Sequence, residues 1–494
     1  MFSTAKQLTI PHALWPCFAG FQMRSVTCTR GMVFFPYKAF LVNVQFWIWA
    51  LICPLSQFPS FASDWPRFGG LAAAGFSEET GLARSFPAEG PPVLWAVEVG
   101  EGFAGPAVAG GEVFLLDRVL EQQDLLRCLD LATGKELWTF AYAAAGTLPY
   151  KGSRNVPTVD SRYVFIVGPF GHFHCIDRAS HHAVWQAHLV DDFKEPQESA
   201  DTSSLTREQK LARAQVPTWG LTQAPLLYRD TVIVAPQTQK TGLVAYERET
   251  GKIRWRSDYV GRNWYSHVSP YLTTLCGVEQ IIMLAQPSDP EKSPDQAPPA
   301  LISSIEPTTG RILWITQTPR SHKIPISQPL RISVDRLFIT GGLNFGCQML
   351  QVTHTNDHWE TSLLFHNKNV AGFIHSPVLY KDRIYVTSSR DQGGTRTGFV
   401  CLRTQGEPLW ETGPALQFES GGFLLADDLA YVMQGKTGEL CLLGLSPSGY
   451  ELLGKAKVLE AKGANVWAPM ALSDGILIVR DQHQMKCLNV QSQK

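Results

Sequence analysis

"LRCLDLATGKELW", residues 126–138, holds an acid, Asp130, followed by Thr133, Gly134 and then Trp138, eight positions after the acid. The spacing recurs. "CIDRASHHAVW" ends at Trp185, "AYERETGKIRW" at Trp255 and "SIEPTTGRILW" at Trp314. Asp177, Glu247 and Glu306 take the place of the acid, and His181 stands where the other copies have Gly. A shorter relative, "CLRTQGEPLW", ends at Trp410. Self-similarity at a fixed period marks a repeat architecture and is read before any single site.

A second pattern runs ahead of each copy: a Pro, a short apolar run, a tight turn and another apolar run, as in "GPAVAGGEVFLL" and "SPVLYKDRIYVT". Pro106, Pro157, Pro225, Pro270, Pro329, Pro377 and Pro469 mark seven units, and a Pro-less unit starts at Gly421. Each unit reads as four short strands, A to D, with the Trp on strand D. Gly110-Gly111 and Lys381-Asp382 suit two-residue hairpins. The runs are too short for a helical period. Four-stranded units with periodic Gly and aromatic residues predict a β-propeller. The last unit, 467–490, lacks a Trp strand, while an orphan one, "PVLWAVEVG" with Trp95, precedes the first. The expected fold is therefore all-β: an eight-bladed β-propeller of four-stranded blades over 93–490. The N-terminal strand pairs into the last blade and removes two open edges. Thr-Gly is expected to make the C-to-D turn. Trp95, Trp138, Trp185, Trp255, Trp314 and Trp410 are expected to dock between neighbouring blades.

The repeated acid-x-x-Thr-Gly-x-x-x-Trp resembles the pyrroloquinoline quinone repeat, or tryptophan-docking motif, of quinoprotein alcohol-dehydrogenase-like propellers, over roughly residues 64–490. That superfamily holds quinone-dependent dehydrogenases. It also holds non-catalytic relatives such as the scaffold lipoprotein of the outer-membrane β-barrel assembly machine. For an enzyme, the resemblance implies a vicinal Cys-Cys ring over the quinone, a Ca²⁺ held by a carboxylate and an amide, and an Asp base. The sequence has no Cys-Cys and no haem-attachment Cys-x-x-Cys-His, and only Asp481 and Gln482 fall near the channel mouth. The expectation is no catalytic residue, no metal and no cofactor. The alternative is an alcohol or sugar dehydrogenase using pyrroloquinoline quinone with Ca²⁺.

Lys+Arg (43) balance Asp+Glu (44), which argues against a global polyanion partner such as nucleic acid. Residues 39–55, "AFLVNVQFWIWALICPL", are almost wholly apolar, follow Arg24, Arg30 and Lys38, and precede "SFA" at 60–62. This is the pattern of a secretory signal. Residues 1–62 are read as an extension with a signal peptide, cleaved or retained as a membrane anchor, with Met32 an alternative start. Residues 63–92 form a lead-in. Cys128, Cys175, Cys401, Cys441 and Cys487 occupy one repeat position, so they are expected to be separate buried thiols. The polar stretches 191–216, with a short helix over 203–214, and 287–299 read as surface insertions.

A propeller presents ligands to its D–A and B–C loops. Just ahead of the Pro markers lie Phe103, Arg154, Trp219, Tyr265, His267, Lys323, His375 and Trp467. The B–C side adds Arg118, His172, Arg390, Arg480 and Asp481. Together these predict a basic funnel for a small anionic ligand or an acidic segment of an envelope protein partner, with Trp219 and Trp467 stacking on a planar ring. The competing reading has the aromatics plugging the channel and the Arg residues bridging blades. The expected protein is an exported, monomeric, non-catalytic scaffold or ligand binder.

Overall fold

The computed structural model describes residues 64–195, 204, 210, 215–262, 266–287, 298–390 and 393–492. The N-terminal extension with its apolar segment lies outside them, as does nearly all of the helix expected over 203–214.

Eight antiparallel sheets form the blades of a propeller, and their strands follow chain order within each blade. The first blade shows the plan, with strands Ala107–Ala109, Glu112–Val119, Gln123–Asp130 and Glu136–Ala143 running from the channel outward. The eighth is assembled from both ends of the described chain. Val93–Glu98 pairs antiparallel with Gln484–Asn489, with Trp95 opposite Cys487. The ring is therefore closed by backbone hydrogen bonds rather than by loop contacts.

The repeated letters are the joint between blades. Asp130 Oδ1 accepts from the Thr133 amide at 2.8 Å and its hydroxyl at 2.6 Å. Gly134 then turns the chain at φ +70°, its amide donating back to the Asp130 carbonyl. The indole of Trp95, from the preceding blade, lies flat on this glycine: a Cβ there would stand 2.6 Å from the ring. The Trp95 Nε1–H donates to the Leu131 carbonyl at 2.8 Å. Trp185 meets Gly251 and the Arg248 carbonyl in the same way, and Trp255 meets Gly310 and the Pro307 carbonyl. At the one copy without glycine, His181 takes φ +62° and its imidazole stacks on Trp138 at 4.7 Å. The buried Trp138 Nε1 then has no partner. Trp314 instead donates to Gln280 of its own blade and packs on Trp359 of the fifth.

A register shift just ahead of the Trp in strand D, as between Cys128 and Leu129, bulges the strand and turns the indole toward its neighbour. Its cross-strand partner is a cysteine at Trp95, Trp138, Trp185 and Trp410. A small thiol leaves room for the ring. All seven described cysteines are unpaired, and six are buried.

Gly251→Ala puts a methyl 2.6 Å from Trp185 at φ +68°. It should cost about 1–3 kcal/mol, read as a lowered midpoint of denaturant unfolding. Gly277→Ala, at φ +78° with nothing near its Cβ, controls for the backbone strain alone.

The lead-in is part of the ring. Trp65 exchanges backbone hydrogen bonds with Val108 on the first blade's inner strand, and the Val159 amide of the second blade donates to Pro66. The chain then crosses to the seventh blade, where Phe76–Ser77 adds a parallel fifth strand beside Phe423–Ala426. Phe68 lies between these two anchor points.

Candidate functional site

The segments ahead of the inner strands converge on one cavity of about 340 Å³. Phe103, Arg154, Trp219, His267, His375 and Trp467, six of the thirteen residues proposed from sequence, line it. Tyr150, Ile324, Ile326, Phe373 and Ile374 supply most of the remaining wall. Phe68 of the lead-in shares its floor with Gln328 and Pro469, and the same three side chains line a smaller hollow of about 60 Å³ beyond. The channel is thus a cup. Its rings are in mutual contact: Phe103 is 5.7 Å from Trp467 and 6.1 Å from Tyr150, and Trp219 is 5.3 Å from His267.

Among the described residues, Arg154 carries the sole charge of the lining at neutral pH. Its guanidinium donates to the carbonyls of Gly152 (2.8 Å) and Tyr150, and lies over the Phe103 ring at 5.8 Å. No carboxylate of the described residues pairs with it. Burial, reinforced by the nearby Arg118 cation, lowers its pKa to about 9. Burial also lowers His267 to about 3 and His375 to about 4, so both imidazoles are neutral. Thr222 Oγ1 lies 2.8 Å from His267 Nδ1, while His267 Nε2 and His375 Nε2 are buried without partners.

The expected basic funnel is not what surrounds the cavity. Arg118 is 4 % exposed and fully engaged: it pairs with Asp124 at 2.6 Å and donates to the Ala144 and Gly146 carbonyls at 2.7 Å. Arg480, 1 % exposed, donates to the carbonyls of Asp481 and Gly100. Both brace loops. Asp481 accepts the amides of Ala461, His483 and Gln484, and these bonds hold its carboxyl below the usual range against the opposing effect of burial. Gln482 is clasped on both sides by the Gly102 backbone. His172 packs between the first and second blades against Tyr142 and His188, at 5.1 and 4.6 Å. Arg390 is exposed and borders a separate polar hollow with Lys436 and Glu419. Tyr265 lies outside the described residues.

A quinone held through Ca²⁺ does not fit this cup. Ca²⁺ takes about 6–8 oxygen ligands, chiefly carboxylates, and the described residues of the lining include no carboxylate. Among the described residues no three His, Cys, Asp or Glu side chains come together to hold a metal.

The family profile described as outer membrane protein assembly factor BamB matches residues 121–446. The chain belongs to this BamB-like family of quinone-type repeat propellers. Solved structures agree on the fold. BamB from Moraxella catarrhalis is 11% identical with a TM-score of 0.52, covering 82% of this chain and 98% of that one. The quinohemoprotein alcohol dehydrogenase from Comamonas testosteroni is 12% identical with a TM-score of 0.57, covering 87% and 81%. A europium-containing methanol dehydrogenase is 12% identical with a TM-score of 0.58, covering 84% and 89%. No curated sequence matches the chain. Both branches of the superfamily, assembly factor and dehydrogenase, thus share the fold, and the site residues alone speak to function.

Proposed function

We propose that the protein is an exported, non-catalytic propeller of the cell envelope that binds a small molecule in the central cup. The observation that carries this reading is the cup itself, a largely aromatic and aliphatic cavity of about 340 Å³ with no acid or base of useful pKa among the described residues that line it. Small-ligand sites are concave, mostly apolar and of about 300–1,000 Å³. The apolar segment 39–55 behind a cationic flank and the BamB-like family support export. The same membership favours a second reading, a protein-interaction scaffold, in which the cup only stiffens the ring.

The test has two arms. A neutral aromatic probe, N-phenyl-1-naphthylamine, should bind at one saturable site that is lost in a folded Trp219→Ala/Trp467→Ala variant. Absence of that site supports the scaffold. Incubation with pyrroloquinoline quinone and Ca²⁺ should give no dye reduction with alcohols or sugars, and turnover there would make the protein an oxidoreductase.

A further inference from the structure

The cup has one cation among its described lining residues, Arg154. We propose that its ligand is a flat aromatic molecule bearing one carboxylate, with the ring among Trp219, Trp467 and Phe103 and the carboxylate on Arg154. This inference rests on the reading of the cup as a binding site.

Three observations carry it. First, Arg154 is a cation desolvated against Phe103 whose guanidinium meets only two backbone carbonyls, with no carboxylate of the described residues near it. Arg118, by contrast, pairs with Asp124 at 2.6 Å, and Arg480, though it too donates only to carbonyls, has the charges of Asp117 and Asp481 acting on it. A half-buried cation without a counter-ion is held at a cost, and an anion arriving with the ligand reduces that cost. Second, the rest of the wall cannot hold a second or third carboxylate. His267 and His375 are neutral because burial depresses their pKa to about 3 and 4, and no other lining side chain is basic. A polyanion such as pyrroloquinoline quinone would bury charges with nothing opposite them. Third, the wall offers stacking surfaces around Arg154 itself: Tyr150, Phe103 and Trp467 lie within 6.1 Å of one another, centroid to centroid. The buried Nε2 atoms of His267 and His375 lack partners. Each can serve a polar substituent as donor or acceptor without adding charge.

A matched pair of probes isolates the charge. 2-Naphthoate and 2-naphthamide have the same ring and nearly the same shape, and calorimetry on the full chain at pH 7.5 compares them. The carboxylate should bind tighter by about tenfold or more, the gain typical of a charge-assisted bond to a desolvated cation. Arg154→Met should erase this preference while leaving the amide's affinity within about twofold, and Arg154→Lys should keep most of it. Added Ca²⁺ with pyrroloquinoline quinone should not displace naphthoate. Equal binding of the two probes, or a preference that survives Arg154→Met, overturns the monoanion assignment while the cup remains a site. Failure of both probes to bind removes the cup reading as well. Displacement by the quinone restores the polyanionic ligand.

Discussion

Trp95→Ala is expected to destabilise the propeller by about 3–5 kcal/mol, the cost of emptying a buried aromatic site. Trp95 is 8 % exposed and does two tasks. It lies on Val93–Glu98, the strand whose pairing with Gln484–Asn489 closes the ring. It also covers Gly134 and donates to the Leu131 carbonyl of the first blade. Truncation opens a void where the strand that closes the ring meets the first blade, and leaves a carbonyl short of a donor. Trp95→Phe keeps a ring on the glycine and should recover much of the loss. Trp185→Ala should cost less, because that indole is only half-buried and its joint lies within continuous chain. Denaturant unfolding of the three variants orders these effects. Losses below about 1 kcal/mol for Trp95→Ala, within the range of a surface change, would mean that the indoles decorate the blades rather than join them.

The propeller could be read from its sequence because every joint poses the same packing problem. A ring laid on a backbone requires glycine beneath it, a turn that presents that glycine, and a carboxylate to close the turn. Those demands recur blade after blade and leave the same letters. The fifth blade was marked by its Pro329, but its docking residue hid because it meets the demand differently: Phe365 takes the place of Trp, and its ring lies where a Cβ on Gly406 would stand 2.0 Å away. The lead-in hid for another reason. Phe68, which lines the cavity, belongs to no repeat, so no pattern placed it there.

The positions of the cup were readable, but the directions of its side chains were not. Residues just ahead of the inner strands converge on the cavity because every such segment ends at the same rim. Arg118 looked equivalent to Arg154. It sits on Glu112–Val119, where six successive residues are buried, so alternation cannot tell channel from blade interface. Only the Asp124 carboxylate and the carbonyls of Ala144 and Gly146, brought close by folding, decide that Arg118 faces inward between blades. The aliphatic part of the wall, Ile324, Ile326, Phe373 and Ile374, carried a weak signal: apolar residues in connections that would otherwise be polar.

Acid should unfold the protein well above the range in which carboxylates titrate. Five histidines, His172, His174, His267, His322 and His375, have pKa values lowered by burial to about 4, 4, 3, 3 and 4. Unfolded, each returns to about 6.5. A lowered histidine leaves the folded state with fewer protons than the unfolded one, so stability rises with pH. The contribution is fully present above pH 6.5 and is lost as pH falls through 6.5 toward 4 and 3. His322 is 1 % exposed and stacked on Phe345 at 3.9 Å, and His375 is 8 % exposed. Each tenfold loss of proton affinity on folding corresponds to about 1.4 kcal/mol, so fully titrated they represent on the order of 5 kcal/mol for His322 and 3 kcal/mol for His375, against a typical net stability of about 5–15 kcal/mol. The caps of the repeat act in a different window. Asp130 and Glu306 are held low chiefly by the hydroxyls of Thr133 and Thr309, so their contribution fades only below about pH 4. Tryptophan fluorescence across a pH titration should show cooperative loss of structure between pH 6 and 4, with uptake of several protons. His322→Phe fills the same slot beside Phe345 without a titrating nitrogen and should move the midpoint downward. A midpoint below pH 3.5, unmoved by that substitution, would assign acid unfolding to the carboxylates alone.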